Sequence, residues 1–141
     1  MSKRLIDLTV LIAYSFMGDK NHKHAEHFFE KAEREKMQVS VVSTVVMEAE
    51  ALWMTGKIDV ELESWLRFIE DILRNPLLQK IPLTPEIFSE HAKNYRLFGG
   101  KYTYFDSFHV AAAKILQQKL VTTDRRILRD SSVPSEDLKT Y

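Results

Sequence analysis

The sequence contains no cysteine, no long apolar run and no excess of charge of either sign. Without cysteine, disulfides and thiolate metal sites are excluded, so any metal must be held by oxygen or imidazole ligands. Basic and acidic residues number 20 each, so nucleic-acid binding would have to come from local patches rather than from net charge. No segment approaches the roughly 20 apolar residues of a membrane span, and the first residues lack a long apolar signal core. We therefore expect a cytoplasmic protein.

The length of 141 residues suits one hydrophobic core and is too short for two ordinary ones. Hydrophobic residues make up 45% and charged residues 28%, which is ordinary usage for a globular protein. The sequence shows no internal repeat, linker or low-complexity segment. We therefore expect a single domain over residues 1–141.

Short apolar segments alternate with helical patterns along the whole chain. The pattern predicts strands at 4–8, 38–43, 80–81 and 119–123, with at most a weak edge strand near Leu138. Helices are predicted to begin near Val10 and to cover 21–36, 45–55, 60–74, 85–98, 103–118 and 125–129. Because parallel strands need crossover connections, this order predicts an α/β fold, a three-layer α/β/α sandwich around a central parallel sheet of four or five strands.

Two helices carry more specific expectations. Asp59 is placed to cap the helix over 60–74, whose buried face would consist of Leu62, Leu66, Ile69 and Leu73. Pro85 suits the first turn of the following helix, and Gly99 and Gly100 would end it after Phe98.

Four carboxylates occupy positions where a residue with a purely structural role would more often be of another type. Asp7 and Asp124 follow predicted strands, at the carboxyl edge of a parallel sheet where α/β proteins build their sites. Glu48 and Asp106 lie on helical faces that are otherwise apolar, where an unpaired carboxylate is costly. Glu50 remains an alternative to Glu48. A divalent cation would explain why several like charges converge.

Each position also has a structural interpretation. Asp7 could end a strand and take part in a turn, and Asp124 could be the N-cap of the short helix that follows it. Thr103 and Asp106 have the three-residue spacing of a capping box, although Glu or Gln is the usual partner. The individual positions therefore leave the function open.

Taken together, four segments resemble the PIN-domain family, specifically VapC-type ribonuclease toxins and their archaeal relatives. They span most of the chain in the family's order: Leu5–Asp7, Val42–Glu48, Phe105–Ala113 and Leu120–Arg125. The resemblance implies an endoribonuclease that binds Mg²⁺ or Mn²⁺ and cuts single-stranded RNA, a homodimer, and a small antitoxin protein that covers the site.

The resemblance also implies roles for individual residues. Asp7 and Asp106 would be direct metal ligands, Asp124 a direct or water-mediated one, and Glu48 would orient water or complete a second metal site. By the same comparison, three hydroxyl residues could support the site or merely cap strand ends; they are Ser43, Thr122 and Thr123. The usual Asp-Thr-Asn or Asp-Ser-Asn opening is replaced by Asp7-Leu8-Thr9, which could weaken the metal site or alter substrate choice.

Residues near these segments have open roles. Arg125, Arg126 and Lys101 could bind RNA phosphates, as could Arg129, or could be solvated surface. His109, among apolar helix residues, is interpreted as a packed and hydrogen-bonded side chain, with contact to a phosphate or metal as the alternative.

Two other function classes remain. The first is a catalytically weak or inactive PIN-like module that binds RNA or protein, which the altered opening keeps open. The second is a phospho-acceptor domain using Asp7, which we rank lower because no glycine-rich phosphate loop follows the first strand. The helix with Ala51, Trp53 and Met54 is apolar on several faces, which indicates either a partner surface or dense core packing.

Overall fold

The computed structural model describes residues 2–141 and shows a five-stranded, fully parallel sheet with helices on both faces. The strands are β1 (Lys3–Ile6), β2 (Gln38–Val42), β3 (Leu78–Ile81), β4 (Lys119–Thr122) and β5 (Ser135–Asp137). The helices are α1 (Leu8–Ser15), α2 (His22–Arg34), α3 (Val45–Met54), α4 (Leu62–Arg74), α5 (Pro85–Asn94), α6 (Tyr104–Leu116) and α7 (Arg125–Arg129). Short 3₁₀ turns follow at Arg96–Phe98 and Leu138–Thr140.

The strand order is β3-β2-β1-β4-β5, so β1 is central and is paired with β2 and β4. Leu5 is opposite Ser40 on one side and Leu120 on the other. This arrangement brings the carboxyl ends of β1, β2 and β4 to one edge of the sheet, where the residues after each strand meet.

Alternating residues of β1 serve two separate cores. Ile6 belongs to the core formed with α1 to α4, whereas Leu5 belongs to the core formed with α5, α6 and α7. Both residues are almost completely buried. The near-continuous apolar strands follow from this arrangement, because a parallel sheet covered on both faces offers no solvent-facing side. The predicted three-layer α/β/α architecture is confirmed.

The last strand is β5, which is parallel to β4 with Thr122 opposite Asp137. It is short, polar and only partly buried, as expected of an edge strand. The predicted weak edge strand near Leu138 therefore exists just before that residue, and the sheet has five strands rather than four.

The predicted details of α4 were wrong. The helix begins at Leu62, two residues later than expected, and Glu61 rather than Asp59 is its N-cap, without a side-chain hydrogen bond. Its buried residues are Trp65, Phe68, Ile69 and Ile72. The other three residues of the predicted buried face, Leu62, Leu66 and Leu73, are each at least half exposed. The larger aromatic side chains fill the core, and the leucine stripe points outward.

The predicted end of α5 was also wrong. The helix stops at Asn94 instead of Phe98, because the next residue, Tyr95, is extended and forms a parallel bridge with Tyr102. Arg96–Phe98 is a separate 3₁₀ turn, and Gly99 ends that turn with φ of +94°.

None of the helices formed by residues 2–141 has both the length and the apolar character needed to cross a bilayer.

Candidate active site

Asp7 connects β1 to α1 at the carboxyl edge of the sheet. Its side chain accepts the backbone N–H of Val10 at 3.3 Å and thereby caps α1. Two hydroxyls also donate to the carboxylate, Thr9 Oγ1 to Oδ1 and Thr122 Oγ1 to Oδ2, each at 2.5 Å. The residue is only 5% exposed. Three donors therefore fix a buried carboxylate in one orientation.

Asp124 follows β4 and is linked to Asp7 through a shared threonine. Its backbone N–H donates to Thr122 Oγ1 at 3.0 Å, while the Thr122 hydroxyl donates to Asp7. The Asp124 side chain accepts the Arg126 N–H at 2.8 Å and caps α7. The structural interpretation of Asp124 as an N-cap is thus correct, and the Thr122 hydroxyl links its backbone to the Asp7 carboxylate.

Glu48 lies in the first turn of α3, and its Oε1 is 2.8 Å from His109 Nε2. His109 comes from α6 and is almost completely buried, at 1% exposure. Its other ring nitrogen, Nδ1, is buried and has no hydrogen-bond partner among residues 2–141. The ion pair joins the two layers of helices across the end of the sheet. The predicted packed and hydrogen-bonded histidine is therefore also a direct partner of a predicted site acid.

Asp106 lies in the first turn of α6 and accepts a hydrogen bond from Thr103 Oγ1 at 2.8 Å. Thr103 is the N-cap of the helix, but its side chain makes no capping hydrogen bond to the helix backbone. The capping-box interpretation of this pair is therefore wrong, and the hydroxyl serves the carboxylate instead.

Burial and neighbouring charges shift the pKa values of Asp7, Asp106 and His109. Burial raises the pKa of Asp7, opposed by the positive charge of His109 and the two threonine hydroxyls, and the charge of Glu48 raises it further. Burial also raises the pKa of Asp106, and the charges of Asp124 and Asp7 add to that rise. Burial lowers the pKa of His109, but the contact with Glu48 and the charges of Asp7 and Asp106 outweigh it and raise the pKa. These groups therefore share one electrostatic field.

The chemistry of this donor set fits a hard divalent cation, although no preformed cage is present. Within residues 2–141, no three His, Asp or Glu side chains are grouped closely enough to hold a metal ion. Carboxylate oxygens are nevertheless the ligands that Mg²⁺ and Mn²⁺ prefer. Burial and like-charge repulsion leave the negative charge of Asp7 and Asp106 poorly compensated, and a cation would relieve that repulsion.

Of the three hydroxyl residues predicted to support the site, only Thr122 contacts the acids. Thr122 contacts Asp7 and Asp124, whereas Thr123 makes no side-chain hydrogen bond within residues 2–141. Ser43 follows β2 and is exposed, and within the same residues its hydroxyl bonds none of the acids. Thr9 was noted in the sequence only as a departure from the family opening, yet its hydroxyl contacts Asp7 directly. Its position two residues after the acid was the available signal.

The basic candidates lie on exposed surface. Arg125 and Arg126 begin α7 directly after Asp124, and neither forms an ion pair with another residue in the range 2–141. The Lys101 side chain is 77% exposed and lies 3.8 Å from Asp130. The alternative acid Glu50 is exposed and is not hydrogen-bonded within that range. Of the two glutamates on α3, only Glu48 contacts His109.

The sequence was compared with protein-family profiles and with curated proteins. The sequence profile of the PIN domain matches residues 4–131. None of the curated proteins is significantly similar in sequence.

Several solved structures share the fold over nearly the whole length. VapBC2 from Rickettsia felis, bound to a DNA fragment from its promoter, gives a TM-score of 0.71 at 12% identity, with 96% of this chain and 98% of that chain covered. DNA-bound VapBC from Salmonella typhimurium gives 0.71 at 16% identity, with 98% and 99% covered. VapC20 of Mycobacterium tuberculosis, a toxin that cleaves the sarcin-ricin loop, gives 0.64 at 14% identity, with 92% and 98% covered. The chain belongs to the PIN-domain family.

Proposed function

We propose that this chain is a metal-dependent endoribonuclease that cleaves single-stranded RNA and acts as the toxin of a toxin–antitoxin pair. The observation that carries the proposal is the Thr122 hydroxyl, which joins Asp7 to Asp124 at the carboxyl edge of the sheet. The charges of both acids act on Asp106, and the charge of Asp7 also acts on His109, the partner of Glu48. The PIN-domain membership and the fold shared with VapC toxins support a nuclease over other uses of an acidic cluster.

In this proposal Asp7, Asp106 and Asp124 hold Mg²⁺ or Mn²⁺ through carboxylate oxygens. The cation supplies Lewis-acid stabilisation of charge on the phosphate when it is bound. Thr9 and Thr122 keep the Asp7 carboxylate oriented, and Thr103 does the same for Asp106.

Glu48 acts on the attacking water in this scheme. A carboxylate at the edge of the acid cluster can accept a hydrogen bond from water and take its proton as the water attacks the phosphate. His109 holds Glu48 in place through the 2.8 Å contact. Arg125, Arg126 and Lys101 would bind phosphates along the RNA, since all three are exposed.

The partners are part of the same proposal. Two of the structures with this fold are VapBC complexes, which supports an antitoxin partner for this chain. The outward leucine stripe of α4, formed by Leu62, Leu66 and Leu73, offers apolar surface for that partner or for a second copy in a homodimer. A cytoplasmic location, where RNA substrates occur, completes the proposal.

The test is cleavage of unstructured and fully duplex RNA with Mn²⁺, Mg²⁺ or EDTA. We expect cleavage of the unstructured RNA only, and none in EDTA. Asp7→Asn and Asp106→Asn should abolish it, and undiminished Mn²⁺-dependent cleavage in both variants would refute the ligand assignments. Glu48→Gln should lower kcat by about 100-fold or more. Glu50→Gln is the matched control and should cleave like the wild type.

Metal titration distinguishes the enzyme from the inactive-module alternative. Binding of Mn²⁺ to the wild type, measured by titration calorimetry and lost in Asp106→Asn, would support the nuclease. RNA binding without any Mn²⁺ binding or cleavage would instead support the RNA-binding module. Replacing Arg125 and Arg126 with glutamine should reduce the salt dependence of RNA affinity by about two counterions, and an unchanged slope would remove them as phosphate contacts.

A further inference from the structure

The segment from Tyr95 to Tyr102, here called the aromatic loop, is a rigid connection that displays apolar side chains. Tyr95 O accepts the N–H groups of Phe98 and Gly100, each at 3.0 Å. The Arg96 N–H donates to Tyr102 O at 2.8 Å and closes the loop on itself. Gly100 packs so closely on the end of α5 that a Cβ would lie 2.2 Å from a backbone atom. The loop therefore holds a fixed shape.

Two aromatic rings project from this region. Phe98 is 71% exposed, and Tyr104, the first residue of α6, is 43% exposed. Both rings meet the ring of Tyr95 edge-on, with centroid distances of 5.4 Å and 5.3 Å. Scattered exposed apolar residues are ordinary. Here, however, Phe98 and Tyr104 both pack edge-on against Tyr95, which belongs to a hydrogen-bonded loop. The exposed part of each ring is therefore held in a fixed position.

The aromatic loop lies between the elements that carry two of the site acids. Just beyond it, Thr103 donates to Asp106. On the other side, the Tyr102 hydroxyl donates to Asp130 at 2.7 Å, which ties the loop to the end of α7. That helix begins directly after Asp124. The loop is thus tied both to α6, which carries Asp106, and to α7, which follows Asp124.

Two basic residues, Arg96 and Lys101, lie on the aromatic loop. Arg96, in the 3₁₀ turn between Tyr95 and Phe98, is exposed and forms no ion pair with another residue in the part of the chain that the structure describes. Lys101 follows on the same loop, and its side chain is 77% exposed although its Nζ lies 3.8 Å from Asp130. Exposed aromatic faces bordered by cations are the combination that binds single-stranded nucleic acid, by stacking on bases and pairing with phosphates.

We propose that Phe98 and Tyr104 form a stacking surface for an unpaired base next to the scissile phosphate, with Arg96 and Lys101 beside the flanking phosphates. This inference rests on the proposed ribonuclease function and names the form of RNA that the site accepts. A base within a duplex is stacked between its neighbours and cannot offer its face to a protein ring. The surface therefore selects single-stranded RNA without reading its sequence.

The test combines a protein variant with an altered RNA. The probe is a fluorescein-labelled single-stranded RNA that the wild-type protein cleaves, and binding is measured by anisotropy in EDTA so that the probe stays intact. Phe98→Leu keeps an apolar side chain but removes the ring, and should weaken binding by about tenfold. Leu97→Ala is the matched control, because Leu97 is 75% exposed on the same turn. It should bind within twofold of the wild type.

The second arm needs no variant. RNAs that carry one abasic position each are compared on the wild-type protein, and the abasic position next to the mapped cut should weaken binding by about tenfold. That RNA should bind Phe98→Leu and wild type equally, because the base and the ring act only together. Midpoints of urea unfolding check that the variants are folded.

The outcomes are distinguishable. Wild-type cleavage with unchanged affinity in Phe98→Leu and in the abasic series would overturn the stacking surface and leave the nuclease proposal intact. Wild-type protein that neither binds nor cuts single-stranded RNA would overturn the proposed function itself. If Phe98→Leu and Leu97→Ala both change the oligomeric state by light scattering without affecting RNA affinity, the rings form a protein interface and the stacking surface is refuted.

Discussion

Replacing Thr122 with valine tests the connection between Asp7 and Asp124 directly. Thr122 is completely buried, and its hydroxyl makes two hydrogen bonds, as donor to Asp7 and as acceptor from the Asp124 N–H. Valine has nearly the same shape, so the change removes these bonds without opening a cavity. The carboxylate of Asp7 would keep only its bonds from Thr9 and Val10.

The size of the effect follows from the two bonds. A hydrogen bond to a charged group contributes about 1.5–3 kcal/mol, and a neutral one about 0.5–1.5 kcal/mol. Because the site is buried, the partners find no replacement in water, and we expect the free energy of unfolding of the metal-free protein to fall by about 2–4 kcal/mol. Cleavage should fall by roughly 10- to 100-fold, the usual cost of losing a group that orients a metal ligand.

The assay is urea unfolding in EDTA at neutral pH, with Thr123→Val as the control. Thr123 is the next residue and makes no side-chain hydrogen bond within residues 2–141, so this variant should stay within about 0.5 kcal/mol of the wild type. The loss in Thr122→Val should shrink as the pH falls, because a hydroxyl bonds a protonated Asp7 less strongly than the carboxylate. Equal stabilities for the two valine variants at neutral pH would refute the reasoning.

Three further changes have definite expected results. Because burial raises the pKa of Asp106, its ionised form costs stability at neutral pH and not below the ordinary pKa of aspartate. Asp106→Asn should therefore melt no lower than the wild type in EDTA at pH 7.5, and a clearly lower melting temperature would contradict this. Tyr102→Phe should cost about 1 kcal/mol in urea unfolding. Since hydrogen bonds from Ser132 and Tyr102 help to lower the pKa of Asp130 to about 2, that loss should persist at pH 5 and disappear only as pH falls through the range near 2. Gly100→Ala should destabilise by more than about 2 kcal/mol, whereas Gly18→Ala, with nothing within 4 Å, should be neutral in the same experiment.

The sheet could be predicted from the sequence because a buried parallel strand has a simple signature. Residues 38–42 and 119–122 are β-branched or leucine-rich and are bounded by polar positions, and the structure places strands there. The weak strand β5 has no such signature. Its residues Ser135–Asp137 are polar, and they pair because β4 exposes an open edge beside them.

The inner face of α4 could not be read correctly because the helix has two apolar stripes. One contains Leu62, Leu66 and Leu73, and the other contains Trp65 and Phe68, with Ile69 lying between the two. Periodicity supports either stripe equally. The deciding contact is tertiary, since Trp65 stacks on Trp53 of α3 with ring centroids 4.9 Å apart. The same contact shows that the apolar character of α3 at Trp53 reflects core packing, while Met54 remains exposed.

The contacts of the site acids depended on partners that are distant in sequence. Glu48 and His109 are 61 residues apart, and Thr122 and Asp7 are 115 residues apart. The sequence could indicate that these residues lie on elements leading to one sheet edge. It could not indicate which hydroxyl faces a carboxylate, because Thr122 and Thr123 are adjacent threonines and only the structure shows that Thr122 ends β4 while Thr123 follows it.

Structural and functional interpretations of the four acids do not compete, because each acid occupies a helix N-terminus. Asp7 and Asp124 cap α1 and α7, and Glu48 and Asp106 lie in the first turns of α3 and α6. The chain leaves each parallel strand at the carboxyl edge of the sheet, so α1, α3 and α7, the first helices after β1, β2 and β4, begin at that edge with the positive ends of their dipoles.

Each helix end stabilises a nearby negative charge by about 0.3–1 kcal/mol, which lowers the cost of gathering carboxylates before any cation binds. The compensation is incomplete, because the pKa values of Asp7 and Asp106 remain raised by burial. Under the proposed function, this remaining cost is what binding of a cation to Asp7 and Asp106 would recover as affinity.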